Sequence, residues 1–135
     1  MRKQKISVQT ELAEHLPAVF GNRIQLQQVL LNLAMNAIEA MSTVTGREPV
    51  LRLQTALHED GIMVSVEDSG PGIDANDVER IFDALFTTKT QGMGMGLSIC
   101  RSIIEAYHGR LWVSPGPDHG SAFHFVLPAM AADAQ

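Results

Sequence analysis

Cysteine occurs once in the 135 residues, at Cys100, so the chain cannot close an internal disulfide and a disulfide-stapled secreted scaffold is excluded. The thiol falls in an apolar helical pattern, where it reads as a small buried hydrophobe. Long apolar runs are missing too: no stretch approaches the roughly 20 residues of a membrane span. Arg2, Lys3 and Lys5 are followed by polar residues and not by the apolar core of a signal peptide. These absences lead us to expect a cytoplasmic domain that makes no membrane contact. Those three residues form the one local basic cluster in a chain of net charge -5, so the electrostatic footprint of a nucleic-acid binder is absent. The five histidines, at 15, 58, 108, 119 and 124, show no metal-ligand spacing. There is no Gly-Lys-Ser/Thr phosphate loop and no Gly-x-Ser-x-Gly nucleophile elbow. Internal repeats are also absent.

What is present is globular in proportion, with 45% hydrophobic and 19% charged residues. The length suits one domain, 1–135, with a core at about 5–128. Residues 5–12 alternate, placing Ile6, Val8, Thr10 and Leu12 on one face of an expected half-buried strand. Asn22 is placed to cap a long helix running to about Met41, with Leu26, Val29, Leu30, Leu33, Ala37 and Met41 as its core stripe. Two strands, at 50–57 and 62–68, flank the short link HEDG and predict a hairpin. Asp74 is placed to cap a short helix to about Phe82. A second long helix begins near Gly94, turns Leu97, Cys100, Ile103, Ile104 and Tyr107 inward, and stops at Gly109. Strands RLWVS and SAFHFVLP follow, then an Ala-rich tail. The pattern predicts an α/β (α+β) two-layer sandwich, with helices on one face of a mixed, mainly antiparallel sheet.

Three features carry chemistry. The first helix has a second stripe, Gln25, Gln28, Asn32, Asn36 and Glu39, at three- and four-residue spacing. Mostly amides, it is either a solvated face or a binding face with donors and acceptors in fixed positions. Asn32 and Asn36 stand one turn apart, and their oxygens can point at one spot, as orienting a hydrated Mg²⁺ with its phosphates requires. In the strand ending at 68, the period of two puts Asp68 on the face of Ile62, Val64 and Val66. An inward carboxylate needs a donor, such as the exocyclic amine of a ligand. The alternative is a turn-initiating aspartate that caps the segment after it. Gly70 and Gly72 flank Pro71 there and permit a tight turn close to a flat ligand. Finally, Gly92, Gly94 and Gly96 lead into the second long helix, leaving N–H groups open to phosphate oxygens at its positive end. Thr87, Thr88 and Lys89 precede them, either to reach phosphates or as a solvated loop. Residues 87–96 thus read as a lid.

In order, NRIQLQQVLLNLAMNAIEAM, EDSGPGI, IFDALFTTK, GMGMGLSI and GSAFHFVLP resemble the N, G1, F, G2 and G3 boxes of the ATP-binding domain of sensor histidine kinases. That superfamily is shared with gyrase, HSP90 and MutL. The resemblance implies a sandwich of the Bergerat type, with ATP between helices and lid. It implies Asn36 as a Mg²⁺ ligand, Asn32 as its assistant and Asp68 as acceptor from the adenine amine. Gly70, Gly72 and Ile73 would shape the adenine pocket, Phe82 and Phe86 would anchor the lid, and Gly92, Gly94 and Gly96 would hinge it and cradle phosphates. Lys89, Leu97 and Ser121 complete the implied ATP contacts. Hydrolysing members resemble one another in a Glu four residues before the metal-binding Asn; here that residue is Asn32. An amide cannot act as general base at neutral pH, so the resemblance implies a site that holds ATP for transfer. Glu39 stands where many such kinases carry a Lys, a form similar to the nitrogen- and oxygen-sensing type with the FTTK lid.

The implied acceptor is a histidine on a separate helical dimerisation domain, with a response regulator downstream. No histidine here lies in an His-Glu-x-x-x-Pro-like helical setting; His15, in AEHLP, is nearest. The isolated domain is then expected to be a monomer. A free-standing anti-sigma-type serine kinase resembles the same fold at this length and is the alternative.

Overall fold

The computed structural model describes residues 6–14, 19, 21–42, 44–46, 48–59, 61–72, 93–116 and 120–129, with backbone alone at 93–96. Its elements are β1 (Ser7–Glu11), α1 (Arg23–Met41), β2 (Val50–His58), β3 (Gly61–Asp68), α2 (Met93–Ala106), β4 (Arg110–Pro115) and β5 (Ser121–Pro128). The strands form one sheet in the order β1-β2-β3-β5-β4. β1 runs parallel to β2 and every other pair is antiparallel. Both helices pack against the sheet and against each other. The expected layering is therefore found.

Local signals account for much of this. Asn22 has extended backbone, and its Oδ1 accepts from the N–H groups of Ile24 and Gln25 at 2.9 and 3.1 Å, satisfying two of the donors a helix start leaves over. Val29, Leu33, Ala37 and Met41 recur every four residues and are buried. They meet Val66, Phe123 and Phe125 from the sheet and Cys100 and Ile104 from α2 in one core. The hairpin closes between the paired residues His58 and Gly61, with Glu59 at φ 51.

Three expectations need correction. Leu30 is 36% exposed. α2 covers the edge of α1 that carries Asn32, and Leu30 lies on the opposite edge of the buried arc. β1 is not half-buried, since Val8 and Leu12 are 60% and 63% exposed. It is an edge strand, and α1 lies mainly over β3, reaching β2 only at its margin. The second helix is not stopped by a left-handed glycine: His108 takes that conformation, at φ 67, and the N–H of Gly109 then bonds to Ile104 O at 2.9 Å. Gly109 serves by close approach, because a Cβ there would fall 2.2 Å from Val126 O.

The helix-free face of the sheet carries a polar cluster. His124 sits between two hydroxyls, Ser65 Oγ at Nδ1 and Ser114 Oγ at Nε2, both at 2.8 Å. Trp112 stacks on its ring at a centroid distance of 5.2 Å, and the Arg110 guanidinium lies over Trp112. Burial holds the imidazole pKa below its ordinary value.

Candidate nucleotide site

Asp68 ends β3 on the helix-facing side, in register with Leu51 and Ser121. It is only 5% exposed, a placement that would cost several kcal/mol for a carboxylate without donors. The donors are built in. Its Oδ1 accepts from the N–H of Gly70 at 2.8 Å, and its Oδ2 from the hydroxyl of Ser121 at 2.9 Å. The carboxylate is thereby held at both oxygens, by its own turn and by the neighbouring strand. A carboxylate offers about four acceptor positions, so one fixed this way can serve internal donors and an exocyclic amine together.

The loop that follows is seated by close backbone approach. A Cβ on Gly70 would lie 2.9 Å from Asp68 Oδ1 and 3.4 Å from the backbone of Ala40, one helical turn beyond Asn36. Ser69 ties the same loop down, accepting from Val50 N at 2.8 Å and donating to Met41 Sδ at 3.4 Å. Gly72 has φ 89 and comes close to Gly120 O. The loop after Asp68 is thus packed on the last turn of α1, one turn beyond Asn36.

Two contributors were not singled out from sequence. Gly120 has φ 84, and a Cβ on it would stand 2.0 Å from Asp68 O. Its role depends on the β3–β5 pairing, although the Gly-Ser pair after His119 was a visible cue. Ser69 had no signal beyond its place between Asp68 and Gly70.

The amide stripe of α1 divides on inspection. Asn32, Asn36 and Glu39 are half-buried, while Gln25 and Gln28 are exposed. Gln25 has a structural partner: the Tyr107 hydroxyl donates to its Oε1 and accepts from the N–H of Asn22, clasping the end of α2 to the start of α1. Asn32 reaches α2 as well, its Nδ2 donating to Cys100 Sγ at 3.6 Å. Cys100 is fully buried, and burial raises its thiol pKa against the smaller opposing effect of the Asn32 hydrogen bond. Leu97, just past the first turn of α2, is buried.

Gly94 and Gly96 fall in the first turn of α2. Ile73, Phe82, Phe86, Thr87, Thr88, Lys89 and Gly92, the Asp74 helix and most of the expected lid lie outside the described residues. Among the described residues no group of three or more His, Cys, Asp or Glu side chains could hold a metal ion. The hard oxygen of Asn36, on the same helix face as Asn32, suits Mg²⁺ held jointly with phosphates, which needs few protein ligands. No helix among the described residues is long and apolar enough to cross a membrane.

Residues 21–131 match the family model described as histidine kinase-, DNA gyrase B-, and HSP90-like ATPase. The chain is 43% identical over 128 residues to the sensor protein FixL of Bradyrhizobium diazoefficiens, covering 95% of this chain and 25% of that protein. With the sensor histidine kinase TmoS of Ectopseudomonas mendocina it shares 38% identity over 125 residues, 91% of this chain and 13% of the relative. The chain therefore spans at most a quarter of these two relatives. Among solved structures, the catalytic domain of histidine kinase ThkA superposes with a TM-score of 0.80 at 38% identity, covering 92% of this chain and 79% of that one. ThkA in complex with the response regulator protein TrrA gives a TM-score of 0.75 at 35% identity, covering 93% and 34%.

Proposed function

Because the chain belongs to the histidine kinase-, DNA gyrase B- and HSP90-like ATPase family, we propose that it binds Mg-ATP between α1 and the start of α2 and donates the γ-phosphoryl group to a histidine on a separate helical domain. That transfer would belong to two-component signalling, with a response regulator downstream. The complex of ThkA with TrrA, and the sensor-kinase names of the relatives, support this reading over the serine-kinase alternative.

The observation that carries it is Asp68, a buried carboxylate fixed by Gly70 and Ser121 at the end of an apolar strand. An acceptor there meets the amine of adenine but the carbonyl oxygen of guanine. Asn36 would hold the metal, Asn32 would assist, and Gly94 and Gly96 would offer backbone N–H groups to phosphate at the positive end of α2. Bound there, Mg²⁺ would supply neutralisation of phosphate charge. Asn32 is not a base, so the chain holds ATP without activating water.

Calorimetry with ATP and GTP tests the pocket. A mismatched buried acceptor costs about 1 to 3 kcal/mol, or about 5- to 150-fold in affinity. Asp68→Ala should bind ATP weakly; equal affinity of the parent chain for both nucleotides removes the pocket. Labelled ATP tests transfer. The chain alone should remain nearly unlabelled and should yield acid-labile phosphohistidine once a histidine-bearing helical kinase domain is added, weakly because untethered partners lack effective concentration. Robust self-labelling would overturn the proposal.

A further inference from the structure

Asn32 has an amide whose two ends are chemically opposite, an acceptor oxygen and a donor nitrogen, and its use depends on which end is turned to the nucleotide. The core around it makes the choice. Cys100 Sγ lies 3.6 Å from Asn32 Nδ2 and 3.9 Å from the carbonyl oxygen of Val29. The thiol has a single proton, and the Val29 carbonyl can only accept it. With that proton committed to Val29, the sulfur meets Asn32 as an acceptor, and only the NH₂ end of the amide can bond to it. The opposite flip would draw that proton away from the Val29 carbonyl and onto Oδ1. Cys100 is fully enclosed, so no water reaches its sulfur.

We propose that Cys100 is a positioning residue for Asn32: it fixes the flip of the amide so that Oδ1 is the outward end, offered as an acceptor toward bound Mg-ATP. An outward oxygen suits a donor, such as a water on the metal or the N–H of an incoming imidazole, and disfavours direct contact with phosphate oxygens. Cys100 stands on α2, the helix whose first turn carries Gly94 and Gly96, so the contact also couples the two helices that flank the site. The inference rests on the assignment of Asn32 to the nucleotide site proposed above.

The test uses the intact chain in four forms: Cys100→Val, which fills the core but offers no acceptor, Cys100→Ser, which keeps donor and acceptor, Asn32→Ala, and the double variant Asn32→Ala/Cys100→Val. The side-chain amide protons of Asn32, followed by NMR, report the flip without nucleotide. They should be protected from exchange in the parent and in Cys100→Ser and lose protection in Cys100→Val. In calorimetry, Cys100→Val should bind Mg-ATP about three- to tenfold more weakly, within the range of direct residue couplings. Metal-free ADP should change by less than about twofold. The double variant should be no worse than Asn32→Ala alone. Unchanged amide protection in Cys100→Val overturns the proposal, and so does a loss that adds fully on top of Asn32→Ala, which would mean general packing. If Asn32→Ala itself leaves Mg-ATP binding intact, the role of Asn32 at the site fails and the functional part of this inference fails with it, while the amide signal separately reports whether Cys100 sets the flip.

Discussion

Replacing Gly120 with Ala should unfold the nucleotide pocket from behind, while the same change at Gly70 should damage only its chemistry. At Gly120 the φ of 84 costs an alanine about 1 to 2 kcal/mol. The new Cβ would also stand 2.0 Å from Asp68 O, 2.9 Å from Asp68 C and 3.0 Å from Gly70 N. All three are backbone atoms, so no rotamer relieves the overlap and the ends of β3 and β5 must part. Overpacking of this kind typically costs about 1 to 3 kcal/mol, which brings the sum to about 4 kcal/mol with the backbone term. At about 2.1 cal/mol/K per residue, unfolding 135 residues has an entropy near 0.28 kcal/mol/K, so the thermal midpoint should drop by about 14 °C. At Gly70 the closest atom is Asp68 Oδ1, the end of a side chain, at 2.9 Å, and the backbone of Ala40 is no nearer than 3.4 Å. The carboxylate can turn aside at the cost of one hydrogen bond, about 1 kcal/mol, partly offset by the lower chain entropy of alanine. Differential scanning calorimetry and ATP titration of both variants separate the two effects. Gly70→Ala should melt within about 3 °C of the parent yet bind ATP poorly. A Gly120→Ala protein that melts with the parent would refute the reasoning, as would a Gly70→Ala protein with full ATP affinity.

Asn36→Ala should weaken Mg-ATP much more than metal-free ADP, because its oxygen is the type of ligand Mg²⁺ accepts; equal loss for both nucleotides in a titration would make the residue structural. His124 has a pKa depressed by burial, so the unfolded chain takes up the proton first as the medium acidifies. Its contribution to stability is whole above about pH 6.5 and declines below it. The thermal midpoint of the parent should accordingly fall more steeply between pH 7 and 5.5 than that of His124→Gln, and parallel profiles would discount the histidine. Cys100, fully buried with a raised thiol pKa, should resist alkylation by iodoacetamide in the folded chain at pH 7.5 and react promptly in denaturant; comparable rates in both would contradict the enclosed core.

What could be read from the sequence was whatever one element decides for itself. Asn22 caps α1 through N–H groups two and three residues away, and the buried residues Val29, Leu33, Ala37 and Met41 follow the helix period. The alternation of β3 places Asp68 inward with the same economy. The readings that failed depend on a neighbour. Val8 has the alternation of a half-buried residue, but its strand lies at a sheet edge that α1 does not cover. Leu30 sits on the side of α1 away from α2. Two contacts had no local signal at all: the place of Gly120 beside Asp68 exists only because β5 pairs with β3, and Cys100, buried as its pattern indicated, also meets Asn32, 68 residues earlier.

Asp68 shows why such alternatives stay open until the fold is known. From sequence, a turn-capping aspartate and an inward carboxylate for a ligand were rivals, since each explains the residue alone. In the fold the turn cap and the inward placement coexist in one group: Oδ1 caps the turn through Gly70, two residues on, and Oδ2 is held by Ser121, 53 residues on, while the contact to a ligand amine belongs to the proposed function. The cap is what makes the inward carboxylate rigid. A carboxylate anchored only by its turn could swing, and one anchored only across the strands would leave the Gly70 N–H in need of another acceptor. Nucleotide discrimination requires an acceptor that does not move when guanine presents the wrong group, because a carboxylate free to turn aside would forfeit most of the penalty. Ser121→Ala should therefore leave ATP binding within about threefold but narrow the gap between ATP and GTP, by up to the ~1 kcal/mol that one hydrogen bond contributes. An unchanged ATP/GTP ratio in Ser121→Ala would show that the Ser121 hydroxyl does not fix the carboxylate.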